Sequence, residues 1–213
     1  ETDLDNKEIH NIINKCDKAF INYYIVKEKI FKEISSTVSS QGIMAVISMN
    51  QFTIEEIIEK NRMIIFCDRL QDPGNLGTVI RTTDAFGPGA VILSPGCVDA
   101  YNPKTVRSST GSLLRIPVVN STCSRETLFK LKQNKFKIIS TVVSSQKSFN
   151  DIKDFNKICL VIGNEGQGVS QVIRELSDLC ITINMTGKAE SLNASIAAGI
   201  SIYEIRKTIK KML

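Results

Sequence analysis

Tryptophan is absent from the 213 residues, and histidine occurs once, as His10 in a polar stretch near the start. That leaves no ready member for a Ser-His-Asp triad, a histidine metal site or histidine acid–base work. Six cysteines (Cys16, Cys67, Cys97, Cys123, Cys159, Cys180) are scattered without a C-x-x-C pair. The scatter argues against a zinc site or a disulfide framework, and for buried, reduced thiols in a cytoplasmic protein. No apolar run approaches the roughly 20 residues of a membrane span, and no signal-peptide pattern opens the chain, so no membrane partner is expected. The chain opens at Glu1 rather than Met, and some N-terminal sequence is expected to be missing.

What is present suits a globular chain: 42% hydrophobic and 23% charged residues, enough for one domain of ordinary size with a small appendage. The net charge of +5 mildly favours an anionic partner such as nucleic acid. Residues 3–24 read as a polar helix, 27–34 as an amphipathic one and "GIMAVISM" (42–49) as a strand, followed by a charged connector at 50–61 with a short helix. Then the pattern changes. Short apolar runs at 63–67, 90–93, 115–119, 137–143, 158–163 and 180–183 alternate with helical stretches at 75–86, 102–109, 124–134, 169–176 and 191–210. Apolar strands alternating with helices predict a mostly parallel α/β sheet covered on both faces. The simplest domain division falls in the connector.

Ligands of such sheets collect beyond the carboxyl ends of strands, and three such ends carry unusual residues. The first is "LVIGNEGQGVS" (160–170). It has the G-x-x-x-x-G spacing of a P-loop but Val169 in place of the lysine, and its glycine order fails the dinucleotide fingerprint. Glu165 in its middle would repel a phosphate by a few kcal/mol at an intermediate dielectric. Either the loop holds a ligand that is not a phosphate, or it is a tight turn whose glycines only supply positive φ.

The second is "CDRLQDPGNLGTVIRTTDAFG" (67–87), where Asn75 can cap the following helix, Leu76, Val79 and Ile80 face the core, and Arg81 follows nearly two turns on. Arg81 is either a solvated surface residue or the fork that binds an oxyanion near the strand end. In the third, "ITINMTGKAESLNASIAAGIS" (181–201), Ser191 is a plausible N-cap and Asn193 lies in the first turn. Ala194, Ala197, Ala198 and Gly199 make a small-residue face suited to close packing. That packing leaves Ser191, Asn193 and Gly187 at one loop unexplained.

Together, "NLGTVIR", "LVIGNEGQGVS" and "INMTGKAESLNASIAAGI" closely resemble the three motifs of the SpoU (TrmH-like) family of SPOUT RNA 2′-O-ribose methyltransferases, in order, over residues 63–207. "QGIMAVISM" (41–49) resembles the end of that family's small RNA-binding lobe. Asn184 departs from the proline common in relatives, a change the loop is expected to tolerate. The resemblance implies an α/β knot fold with a C-terminal trefoil knot, divided into a partial RNA-binding lobe at 1–50, a linker at 51–61 and a methyltransferase domain at 62–213. It implies S-adenosylmethionine as methyl donor, no metal, and a homodimer acting on rRNA ahead of tRNA.

By the same resemblance, Gly163, Ile183, Met185 and Leu192 line the cofactor pocket, with backbone from Val161, Ile162, Gly166 and Gly168 nearby. A sulfonium is not repelled by Glu165. The family's corresponding arginine is implicated in activating the ribose hydroxyl. Arg81 is too basic to be a free base, so gripping a phosphate and stabilising alkoxide charge is the expected role. Asn75, Glu165, Ser191 and Asn193 are then expected to orient Arg81 and the ribose. The rival readings are a non-catalytic RNA-binding or assembly protein on this fold, and a tRNA base methyltransferase from another SPOUT branch.

Overall fold

The computed structural model describes residues 6–35, 37, 40–87, 89–152 and 155–210, with side chains as far as residue 207. The chain divides into two compact units between Met49 and Asn50.

In the first unit, helix α1 spans Lys7–Lys18, capped by the Asn6 side chain, which accepts from the Glu8 N–H. Residues 3–5 of the expected helix lie outside the described residues. Helix α2 spans Glu28–Ile34. The expected strand at 42–49 is not formed. A strand exists only as a hydrogen-bonded partner of another, and no described residue of this unit is in one, so Val46, Ile47 and Met49 stay exposed.

The second unit opens with helix α3 (Ile54–Lys60), started by a reciprocal capping box between Thr53 and Glu56. Six strands follow: β1 (Met63–Cys67), β2 (Ala90–Leu93), β3 (Val118–Asn120), β4 (Lys137–Thr141), β5 (Ile158–Ile162) and β6 (Leu179–Ile181). All pair in parallel, in the order β3-β2-β1-β5-β4-β6. β1, β2 and β5 are buried along their whole length, as strands covered on both faces must be. Helices α4 (Pro73–Ala85), α5 (Pro103–Ser109), α6 (Ser124–Gln133), α7 (Gln171–Leu176) and α8 (Ala194–Lys210) supply the cover. One core layer packs Leu76, Val79, Ile80, Ala198 and Ile202 onto the sheet, and the other packs Leu128, Leu131 and Ile173.

β1 and β2 fall on the expected residues, the other strands shift at one or both ends by one to three residues, and β3 starts only after Pro117, which has no N–H to give a ladder. Two caps differ. The α4 cap is Asp72, whose carboxylate accepts the Asn75 N–H at 2.7 Å, rather than Asn75 itself. At α8 the cap is Asn193, whose Oδ1 accepts the N–H groups of Ser195 (2.9 Å) and Ile196 (3.3 Å), rather than Ser191. In both cases the side chain at the true boundary reaches the orphan donors of the first turn. Ser191 lies two residues before that boundary. The small-residue face of α8 packs against α4 and β5 within the chain.

β5 sits between β1 and β4, so successive connections from β1 and β5 diverge at their carboxyl ends. This is the place where an open parallel sheet leaves a crevice.

Candidate active site

The loop after β5 is held by its own residues. The Asn164 side chain accepts the N–H groups of Gly166 (2.9 Å) and Gln167 (3.0 Å) and donates to the Arg69 carbonyl at 2.8 Å. The Asn164 and Gly168 backbones pair, closing the loop at its neck. At that neck a Cβ on Gly163 would overlap the backbone of Gly168 and Val169, so only glycine fits. Gly168 itself has φ +66°, the left-handed region that favours glycine. Gly166 is different: its φ is not positive, and the nearest atom to a Cβ there would be Asn164 Oδ1 at 3.7 Å.

A second clasp comes from the end of β1. Asp68, 2% exposed, accepts the Ser170 N–H at 2.7 Å. Arg69, at φ +55°, turns its guanidinium to Gln167 Oε1 (2.7 Å) and the Gly168 carbonyl (3.4 Å). Asp68, Arg69 and Asn164 were not singled out from sequence. A carboxylate and an arginine directly after the buried "MIIFC" run were the available signal, since charge at a strand's carboxyl end has to be partnered.

The loop so held delivers Glu165 to the start of α4. Its carboxylate accepts the Asn75 side-chain amide (3.0 Å) and the N–H groups of Asp72 (3.2 Å) and Gln71 (3.4 Å). Desolvation acts to raise its pKa, but the Asn75 amide and the backbone N–H groups of Glu165, Asp72 and Gln71 outweigh it. The carboxyl is held below its ordinary value of 4.5. Asn75 Oδ1 in turn accepts from the Asn193 amide at 3.0 Å. Glu165, Asn75 and Asn193 therefore form one continuous hydrogen-bonded chain across three segments distant in sequence.

Beside this chain lies a cavity of about 410 Å³. Ile162, Gly163, Gly166, Gly168, Ile183, Met185 and Leu192 all line it, together with Glu165 and Ser191. Thr141 at the end of β4, with Val142 and Val143 after it, adds to the wall; the sequence reads all three as strand. Aliphatic side chains (Val142, Val143, Ile162, Val169, Ile183, Leu192) share the wall with polar ones, and its charged lining groups are Glu165 and Arg174. The aliphatic side chains suit an adenosyl group, and the Glu165 carboxylate in the glycine loop suits a positive sulfonium.

Arg81 stands apart. It is exposed, its Nη1 lies 3.4 Å from Thr110 Oγ1, and it belongs neither to the Glu165 chain nor to the cavity wall. The expectation that Asn75, Glu165, Ser191 and Asn193 orient Arg81 is thus not met by direct contact. Arg81 is six residues beyond Asn75 on α4, and the helix carries it past the loop to the α5 end. The second unit contains no histidine, and among the described residues no group of three His, Cys, Asp or Glu side chains could hold a metal ion.

This geometry has counterparts. Residues 62–203 match the model of the SpoU rRNA methylase family, and residues 2–53 match that of an RNA 2′-O ribose methyltransferase substrate-binding domain. The chain is 38% identical over 186 residues to a 23S rRNA (guanosine(2553)-2′-O)-methyltransferase of Bacillus subtilis, covering 87% of this chain and 73% of that one. Among solved structures, the SpoU methyltransferase AviRb from Streptomyces viridochromogenes superposes with a TM-score of 0.66 at 33% identity, over 70% of this chain and 60% of that one. An S-adenosylmethionine-bound rRNA methyltransferase from Sinorhizobium meliloti does so with a TM-score of 0.63 at 31% identity, over 68% of this chain and 56% of that one. The chain thus spans less than two thirds of those two solved proteins. With the parallel sheet, the clasped glycine loop and a family match running from β1 into α8, the chain belongs to the SpoU rRNA methylase family.

Proposed function

We propose that this chain transfers a methyl group from S-adenosylmethionine to a ribose 2′-hydroxyl of RNA, with rRNA the substrate. The observation that carries the reading is the Glu165–Asn75–Asn193 chain, whose Glu165 lines the cavity beside the glycine loop. Ile162, Ile183, Met185 and Leu192 would enclose the cofactor, with the loop backbone from Gly163 to Gly168 giving polar contacts. The cofactor supplies an activated methyl on a sulfonium, so no metal is required to make a leaving group. Glu165 stays ionised and locks the start of α4 to the loop.

Arg81, on the next turns of α4, would grip the phosphate beside the target ribose and stabilise charge on its 2′-oxygen. Its contact with Thr110 leaves most of the guanidinium donors free for that task. A non-catalytic RNA-binding protein would transfer no label to RNA. A base methyltransferase would place label on a base, and product analysis separates the two.

A homodimer belongs to this reading, supported by an exposed apolar stripe of Ile196, Ile200 and Tyr203 on one face of α8, with the Phe86 ring tilted against that of Tyr203 at 5.6 Å between centroids. So does the trefoil knot: β6 lies outside β4, yet α8 returns to α4 and β5, so residues 182–193 must recross the sheet ends. A cytoplasmic setting is supported by six unpaired cysteines, two of them buried. Calorimetry tests the cofactor assignment. S-adenosylmethionine is expected to bind and ATP not to compete; ATP binding more tightly would overturn it.

A further inference from the structure

Residues 100–125 contain four cations, Lys104, Arg107, Arg115 and Arg125, and no aspartate or glutamate. The first two lie on α5, which is fastened along α4. A Cβ on Gly77 would overlap Ser108 Oγ and press on the Thr105 carbonyl, so the two helices touch backbone to side chain. Ser108 Oγ donates to the Pro73 carbonyl at 3.2 Å, Lys104 Nζ meets Asp72 Oδ2 at 3.3 Å, and Arg81 Nη1 meets Thr110 Oγ1 at 3.4 Å. These contacts fasten α5 against α4 from Asp72 to Arg81. Lys104 stands at the end where Asp72 feeds Glu165, and Arg81 stands at the other.

Arg107 lies between. It follows Lys104 by three residues and shares its helix face. It is exposed and, among the described residues, has no ion-pair partner. Arg115, by contrast, is held by Asp84 at 2.6 Å. Six residues of helix span about 9 Å, so the ridge from Lys104 to Thr110 offers cations over the length of a short stretch of strand. The unpaired Arg107 guanidinium, with the exposed Lys104 ammonium one turn before it and held, among the described residues, only by the surface carboxylate of Asp72, is what phosphates recognise.

We propose that Arg107 and Lys104 grip backbone phosphates of the substrate RNA next to the target nucleotide, so that the α5 ridge sets the path of the strand across the cofactor cavity. The inference rests on the functional reading above. These two residues position the strand and take no part in the chemistry.

The test measures binding of an unmethylated 23S rRNA transcript to the full chain over a salt series, with methyl transfer followed in parallel. Arg107→Ala is expected to weaken binding roughly tenfold and to lower the slope of log K against log salt by about one phosphate's worth. The double variant Lys104→Ala/Arg107→Ala should lower it further. Arg107→Lys should restore the slope. The dissociation constant for S-adenosylmethionine and kcat at saturating RNA should not change. The control Lys130→Ala, on α6 beside Glu55, should leave the slope unaltered. Wild-type methylation with an unchanged slope in Arg107→Ala, or an equal loss in Lys130→Ala, overturns the proposal. A wild-type chain that transfers no methyl overturns the functional reading and this inference with it.

Discussion

Glu165 accepts a hydrogen bond from the Asn75 side chain at 3.0 Å across 90 residues of sequence. The pairing makes the loop after β5 and the start of α4 a single mechanical unit. Glu165→Gln keeps the shape but removes the charge that three donors converge on. Hydrogen bonds to a charged group are worth about 1.5–3 kcal/mol, so single-turnover methylation should slow by roughly tenfold or more while the fold persists. A rate within about twofold of wild type would show that the loop needs no carboxylate.

The same carboxyl fixes a pH dependence. Its folded pKa lies below the ordinary value of 4.5. The stability it contributes is therefore fully present above that value and is lost as pH falls through the lowered folded value. A plot of melting temperature against pH for wild type should drop more steeply than for Glu165→Gln below pH 4.5, and the two should run parallel above about pH 6. Parallel curves throughout would contradict the linkage.

Two glycines of one loop should answer differently to alanine. At Gly163 the added Cβ overlaps the backbone of Gly168 and Val169, so the loop neck must open. Gly163→Ala should lose several degrees of melting temperature and most cofactor affinity, since overpacking costs about 1–3 kcal/mol. Gly166→Ala meets nothing nearer than 3.7 Å and should bind the cofactor within about threefold of wild type. Equal effects at both positions would discredit the described loop.

Asn193→Ala removes the α8 cap and the last link of the Glu165 chain together. Loss of a cap costs about 0.5–2 kcal/mol, and Asn75 Oδ1 loses its donor. Chemical denaturation should show a loss of that size. Asn193→Asp keeps the cap but cannot donate to Asn75, so it should recover stability without recovering full activity. Recovery of both would reduce Asn193 to a cap alone.

How much of this was legible in sequence depended on local pattern. Runs such as "MIIFC" and "AVIL" declared themselves because strands buried on both faces need continuous apolar residues, and Gly163 and Glu165 stood out by failing the phosphate motifs. Asp68, Arg69 and Asn164 did not stand out, because their work is done by contacts to residues about 100 positions away, which carry no local signature. Asn75 was read as a cap because Asn and Asp are interchangeable there, and only the structure shows Asp72 capping while Asn75 turns to Glu165. The strand expected at 42–49 failed for a related reason: alternation and β-branching supply a surface, but not a partner.

The central claim is that the transferred methyl arrives on a ribose oxygen. The most direct measurement supplies the chain with labelled S-adenosylmethionine and an unmethylated 23S rRNA transcript, then hydrolyses the RNA in alkali. Cleavage in alkali needs a free 2′-hydroxyl, so a 2′-O-methylated nucleotide survives joined to its neighbour. The account predicts label in alkali-resistant dinucleotides for wild type, and at least a hundredfold slower labelling for Arg81→Ala, the scale of losing a preorganised charge stabiliser. Label in single nucleotides, carried on a base, would contradict it.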